Sequence, residues 1–120
     1  QDPPQSGLKA SMTRGKIIYE QYCLTCHQVD GSGVPHLNPP LIKTSYVLGE
    51  PATIITIVLK GLNEEIEING NYYSNPMPAL GEVLKDEEIA DVLTYVRNSF
   101  GNKASLITTA QVKEVRAKTK

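Results

Sequence analysis

The sequence predicts an all-α fold, three to five helices around a shared centre, with one short β-hairpin late in the chain. Three observations carry this expectation. Residues 86–100 place Ile89, Val92, Leu93, Val96 and Phe100 along one stripe at helical spacing. Residues 28–45 are so rich in glycine, proline and asparagine, including Gly31-Ser32-Gly33 and Asn38-Pro39-Pro40, that no regular element can run far through them. Between a first short helix and that loop stands Cys23-Leu24-Thr25-Cys26-His27, a cluster around which helices could pack. With 120 residues, 40% apolar and 21% charged, the chain has the size and composition of one ordinary globular domain.

Taken in order, residues 1–12 are polar and proline-bearing and read as a flexible leader or linker. Thr13 is a plausible N-cap, and Gly15, Ile18, Tyr19 and Tyr22 recur at helical spacing behind it, so a short helix delivers the two cysteines. Residues 51–60 contain the β-branched run Thr53-Ile54-Ile55-Thr56-Ile57-Val58, which favours a strand on propensity alone. Pro51 at the start and Gly61 just past the end match the asymmetry of helix termini and decide for a helix, with Ile54, Ile57 and Val58 on one face. Ile66 and Ile68 then alternate with glutamates, and Asn69-Gly70 precedes Tyr72-Tyr73, a hairpin pattern. The helix over 86–100 is read with Asp86 as its cap and Gly101 as its stop. Residues 102–120 form a C-terminal extension with a short basic helix over Thr109 to Lys118, anchored by Val112 and Val115. The main domain is thus expected over 13–101.

Net charge is −1, which gives no reason to expect nucleic acid or an anionic membrane as partner. The distribution is uneven: residues 61–100 carry two basic against eight acidic groups, and 101–120 carry five against one. The longest apolar-rich run, Ile54 to Leu59, falls far short of the roughly 20 residues of a membrane span. The chain as given has no signal peptide, so Gln1 is expected either to follow a removed leader or to begin a segment of a longer protein.

The chemistry lies in Cys23, Cys26 and His27. In a helical turn, residues i and i+3 share a face, so both sulfurs can meet the vinyl groups of one porphyrin while the adjoining histidine reaches its iron. Three other readings compete. A redox disulfide of thioredoxin type requires a βαβ context that is not visible. A pair of simply buried cysteines leaves the C-x-x-C-H spacing unexplained. A zinc site from Cys23, Cys26, His27 and His36 has the right number of ligands and the wrong spacing. One haem c, attached through both cysteines, is therefore expected.

A sixth iron ligand decides between electron transfer and chemistry at an open iron. Met12 lies on the same arm as the cysteines, too close to wrap to the far face of the haem. Met77 sits in Asn75-Pro76-Met77-Pro78, where two prolines disfavour helix and hold the loop extended, and is the better candidate although a methionine is by base rate a core filler. His36 reads as a solvated loop residue. A saturated His27/Met77 iron implies a single-electron carrier cycling Fe(II) and Fe(III), with a potential above that of a bis-histidine haem.

With C-L-T-C-H early, a glycine- and proline-rich loop, P-M-P late and a closing amphipathic helix, residues 13–100 resemble the class I, monohaem cytochromes c. The resemblance implies the small cytochrome c fold wrapped around one haem. It implies that Pro39, in Pro39-Pro40-Leu41, accepts a hydrogen bond from His27, and that Gly15 and Tyr19 cross Val92 and Tyr95. Tyr46 would take the propionate contact that a tryptophan often makes, since the chain has none. Leu41 joins Pro39 and Tyr46 among the expected haem contacts. The stretch from Gly61 to Gly70 leading to Met77-Pro78-Ala79-Leu80 resembles cytochrome domains attached to quinoprotein dehydrogenases and copper nitrite reductases, although Asn75-Pro76 departs from the apolar residues expected there. Implied partners are a redox donor and an acceptor, docked transiently by a monomer in the periplasm or another exported location. The alternatives are a haem domain excised from a larger oxidoreductase and, less favoured, a haem sensor or peroxidase.

Overall fold

The computed structural model describes residues 7–119, so the first half of the expected leader lies outside the described residues. Six helical segments and one two-stranded sheet follow in the order α1 (Gly7–Tyr22), α2 (Leu24–His27), α3 (Ser45–Leu48), α4 (Pro51–Lys60), β1 (Ile66–Ile68), β2 (Asn71–Tyr73), α5 (Asp86–Arg97) and α6 (Thr109–Lys118). This is one more helix than the three to five expected from sequence. α2 and α3 are single turns of four residues, too short to leave a periodic pattern, and α3 is started by Thr44, whose hydroxyl accepts from the Val47 amide at 3.2 Å.

The packing is organised by α1 crossing α5. Gly15 makes the crossing possible: a Cβ there would stand 2.0 Å from the Asp91 carbonyl oxygen and 2.8 Å from the Tyr95 Cβ. Tyr19 and Tyr95 pack with ring centroids 5.4 Å apart, and Phe100 sits 5.4 Å from Tyr19 and 5.8 Å from Tyr95. The contact is also polar. Asp91, 4% exposed, accepts from the Ser11 hydroxyl at 2.6 Å and from Arg14 Nε at 2.8 Å and Arg14 Nη2 at 3.2 Å. A buried carboxylate is tolerable only when satisfied in this way.

Two helix boundaries differ from the sequence expectation. α1 begins at Gly7, not at Thr13: the Thr13 hydroxyl donates back to the Lys9 carbonyl at 3.0 Å and is absorbed within the helix. α5 is capped by Lys85, whose amide donates to the Glu88 carboxylate at 2.8 Å, and Asp86 instead pairs with Arg116 at 2.7 Å. It ends at Arg97, three residues short of Phe100, because Asn98 leaves helical geometry and Phe100 and Gly101 both take positive φ. α4, the hairpin and α6 stand where the sequence placed them. The turn at Asn69-Gly70 has φ of 52° and 84°, the left-handed pair that a two-residue hairpin needs.

The segment after α5 is woven into the core. Ile107 and Val112 are fully buried, and the Thr94 hydroxyl donates to the Ile107 carbonyl and accepts from its amide. Buried Arg97 spends its donors on the carbonyls of Ser105, Val47 and Gly49 and on the Ser105 hydroxyl. Buried Asn102 donates to the Leu41 and Val96 carbonyls and accepts from the Lys43 amide. These side chains tie the C-terminal segment to residues 41–49, the stretch that leads into the cavity described next.

Candidate functional site

One large apolar cavity opens between the loop after α2, the face of α5 and the loop that follows the hairpin, with a volume of about 140 Å³. Val92, Leu93 and Val96 of α5 and Ile54, Ile57 and Val58 of α4 line it. Ile57 and Val58 fall on the face that the sequence pattern assigned to burial. The cavity also brings together every residue predicted from sequence to hold a cofactor: Cys23, Cys26, His27, Pro39, Leu41, Tyr46 and Met77. His36 is exposed and lies outside it, as does Met12 in α1.

The cysteine segment is a helical turn. The Cys26 and His27 amides both donate to the Cys23 carbonyl, at 3.2 and 3.0 Å, so the two thiols and the imidazole are presented from one compact turn. Both thiols are free; Cys26 is exposed and Cys23 is half-buried. Burial pushes the Cys23 thiol up to about 11, with Cys26 adding to the effect. A raised Cys23 thiol is the opposite of the activated thiolate of a redox C-x-x-C pair.

His27 is 9% exposed, and its Nδ1 donates to the Pro39 carbonyl at 2.9 Å. Burial pulls the imidazole below its ordinary range, and the bond to Pro39 opposes that pull. With Nδ1 engaged, Nε2 is the nitrogen left with a lone pair for a ligand. The Pro39 carbonyl is itself held in place. Gly33 has φ of 72°, and a Cβ on it would stand 2.4 Å from the Asn38 carbonyl oxygen and 2.7 Å from that of Pro39, so this turn closes only with glycine.

Met77 is half-buried and its main chain is paired in both directions with Leu62, amide to carbonyl at 2.8 Å and carbonyl to amide at 3.0 Å. Gly61, with φ of 77°, lies directly beneath; a Cβ there would sit 2.6 Å from the Met77 carbonyl oxygen. The glycine that ends α4 thus also seats the methionine. Sequence reasoning found Gly61 as a helix stop and missed this second task, since only the fold brings residues 61 and 77 together. It also missed Asn38, Asn75, Glu64 and Tyr73, which line the cavity without belonging to a recognisable motif.

A largely apolar cavity with two thiols on one turn, one buried imidazole and one thioether fits the donor set of a covalently attached haem. Among the described residues no helix is long and apolar enough to cross a membrane.

Comparison with known proteins points the same way. The profile of the family described as cytochrome C oxidase, cbb3-type, subunit III matches residues 10–96. A cytochrome c-552 of Thermus thermophilus is 36% identical over 121 residues, covering 93% of this chain and 80% of that protein. The cytochrome c subunit of a quinone alcohol dehydrogenase from Gluconacetobacter polyoxogenes is 30% identical over 96% of this chain. The cytochrome c subunit of gluconate 2-dehydrogenase from Pantoea cypripedii is 35% identical over 81% of it. The chain spans only 26% and 22% of the length of those two subunits. The fold, the cavity and these relatives together place the chain in the monohaem cytochrome c family, electron-transfer proteins that carry covalently attached haem c.

Proposed function

We propose that this chain is a one-electron carrier whose single haem c is bonded through Cys23 and Cys26 and held at iron by His27 and Met77. The observation that carries the reading is the convergence of these four side chains on one apolar cavity from elements fifty residues apart in sequence. Bound there, the group supplies reversible Fe(II)/Fe(III) cycling. The protein's own residues do the rest. The Pro39 carbonyl orients the His27 ring and raises its basicity, and the backbone pair with Leu62 holds the Met77 sulfur's loop against the cavity. Val92, Leu93 and Val96 exclude water and so disfavour the more highly charged ferric state, as the soft thioether also does. Pro39, Leu41 and Tyr46 are the remaining haem contacts in this reading, Tyr46 facing a propionate.

A redox titration of the holoprotein checks it. One reversible one-electron wave is expected, with one haem per chain by pyridine haemochrome, and a fall in midpoint potential of at least ~100 mV for Met77→Ala, about 2 kcal/mol of lost preference for the ferrous state. An unchanged potential in that variant would contradict the ligand assignment.

Two relatives named as dehydrogenase cytochrome subunits favour a second reading, in which this sequence is one haem domain of a longer oxidoreductase subunit. In either case the partners are redox proteins, docked transiently, and the compartment is the periplasm or another exported location. Glu64, on the cavity lining, would help steer a basic partner, with the acidic residues of 61–100 adding to the field. Glu88 and Asp86 are already engaged within the fold and contribute less to that field.

A further inference from the structure

The segment that carries Met77 is held to the rest of the chain by backbone pairs with Leu62, His36 and Leu37 and by side-chain bonds from Ser74 to His36 and from Asn75 to Asn38. Pro76 and Pro78 have no backbone N–H, so the stretch from Ser74 to Pro78 has only the amides of Ser74, Asn75 and Met77 as main-chain donors. All three are used. Met77 pairs with Leu62, while Ser74 donates to the His36 carbonyl at 3.3 Å and Asn75 to the Leu37 carbonyl at 3.0 Å. Beside this last pair, Asn75 Nδ2 donates to Asn38 Oδ1 at 3.1 Å.

Asn38 is a fixed post. Its carbonyl accepts from the Val34 amide at 2.8 Å, its own amide returns to the Val34 carbonyl at 3.0 Å, and Gly33 is packed beneath it. It immediately precedes Pro39, the residue that orients His27. Asn38 and Asn75 both line the cavity, Asn38 on the loop whose Pro39 orients His27 and Asn75 on the loop that carries Met77.

We propose that Asn38 and Asn75 form a clasp that keeps the Met77 loop closed, so that Asn75 is a positioning residue governing how often the methionine leaves the iron. The inference rests on Met77 as ligand. It also explains why a polar Asn75 stands where apolar residues were expected: its amide bridges to the opposite loop. The Leu62–Met77 pair is packed against Gly61 at the end of α4, whereas the clasp is exposed, so in this reading the clasp opens first. An external ligand reaches the iron only in the open population, so its binding rate follows the fraction of molecules with the clasp undone.

The test is carbon monoxide binding by the reduced holoprotein, measured for the native chain, Asn75→Ala, Asn38→Ala, the double variant and Met77→Ala, with the denaturant midpoint of each. Losing one modest hydrogen bond should speed binding about threefold to tenfold in either single variant. The double variant should be no faster than the singles, because they remove the same bond, and all three midpoints should fall slightly and by the same amount, with the cooperative transition retained. Native rates in both single variants, or effects that multiply in the double, would overturn the clasp. If Met77→Ala opens the iron while Asn75→Ala does not, the clasp alone fails. If Met77→Ala binds no faster than the native chain, the ligand assignment fails and the clasp with it.

Discussion

Without haem the chain is expected to lose most of its helical structure. The walls of the cavity are the core: Val47, Ile54, Val58, Val92, Leu93 and Val96 all line it and are all buried. Leaving a cavity of about 140 Å³ empty would cost about 3 kcal/mol at about 24 cal/mol per Å³. That is a large share of the roughly 5–15 kcal/mol that holds a domain together. A haem-free preparation of the Cys23→Ala/Cys26→Ala variant should therefore show a weak helical circular dichroism signal and no cooperative urea transition. Native-like helicity with a sharp transition would mean that the protein part is self-sufficient.

Gly15→Ala is expected to destabilise the holoprotein by about 3 kcal/mol, at the upper end of what overpacking ordinarily costs. The added methyl would lie 2.0 Å from the Asp91 carbonyl oxygen and 2.6 Å from its carbon, and both are helix backbone that cannot swing aside. α1 and α5 must then separate, loosening the Ser11 and Arg14 bonds to Asp91 and the packing of Tyr19 against Tyr95 in the same movement. The thermal midpoint should fall by ~10 °C or more. A fall of less than ~3 °C would show that the crossing can relax at little cost.

Much of this fold was legible because its punctuation is local. Pro51 and Gly61 bound α4 as expected, overriding the β-branched run between them, and Asn69-Gly70 marked the hairpin. The residues that meet in the cavity were legible for a similar reason: C-x-x-C-H is a local pattern, and the prolines around Met77 are a local constraint. What sequence could not give depends on contacts between distant residues. Asp86 looked like a cap, but its carboxylate is taken by Arg116, thirty positions on. Residues 102–120 looked like an extension with two weak anchors, yet Ile107 and Val112 are buried, and Arg97 and Asn102 bind that segment to the loop behind Leu41 and Val47. The crossing glycine was anticipated from family resemblance, with Val92 and Tyr95 opposite; the tightest approach is to Asp91, one residue earlier, with Tyr95 beside it. Gly33 and Gly61 could be read as turn residues, but their proximity to Pro39 and Met77 exists only once the chain is folded.

The assignment of the iron ligands is most directly tested by proton NMR of the reduced holoprotein. A methionine bound to haem iron has its methyl group under the porphyrin ring current and resonates far upfield of all other protein methyls. The native protein should show one such resonance, and Met77→Ala should lack it while Met12→Ala retains it. Its absence from the native spectrum, or its persistence in Met77→Ala, would contradict a saturated His27/Met77 iron.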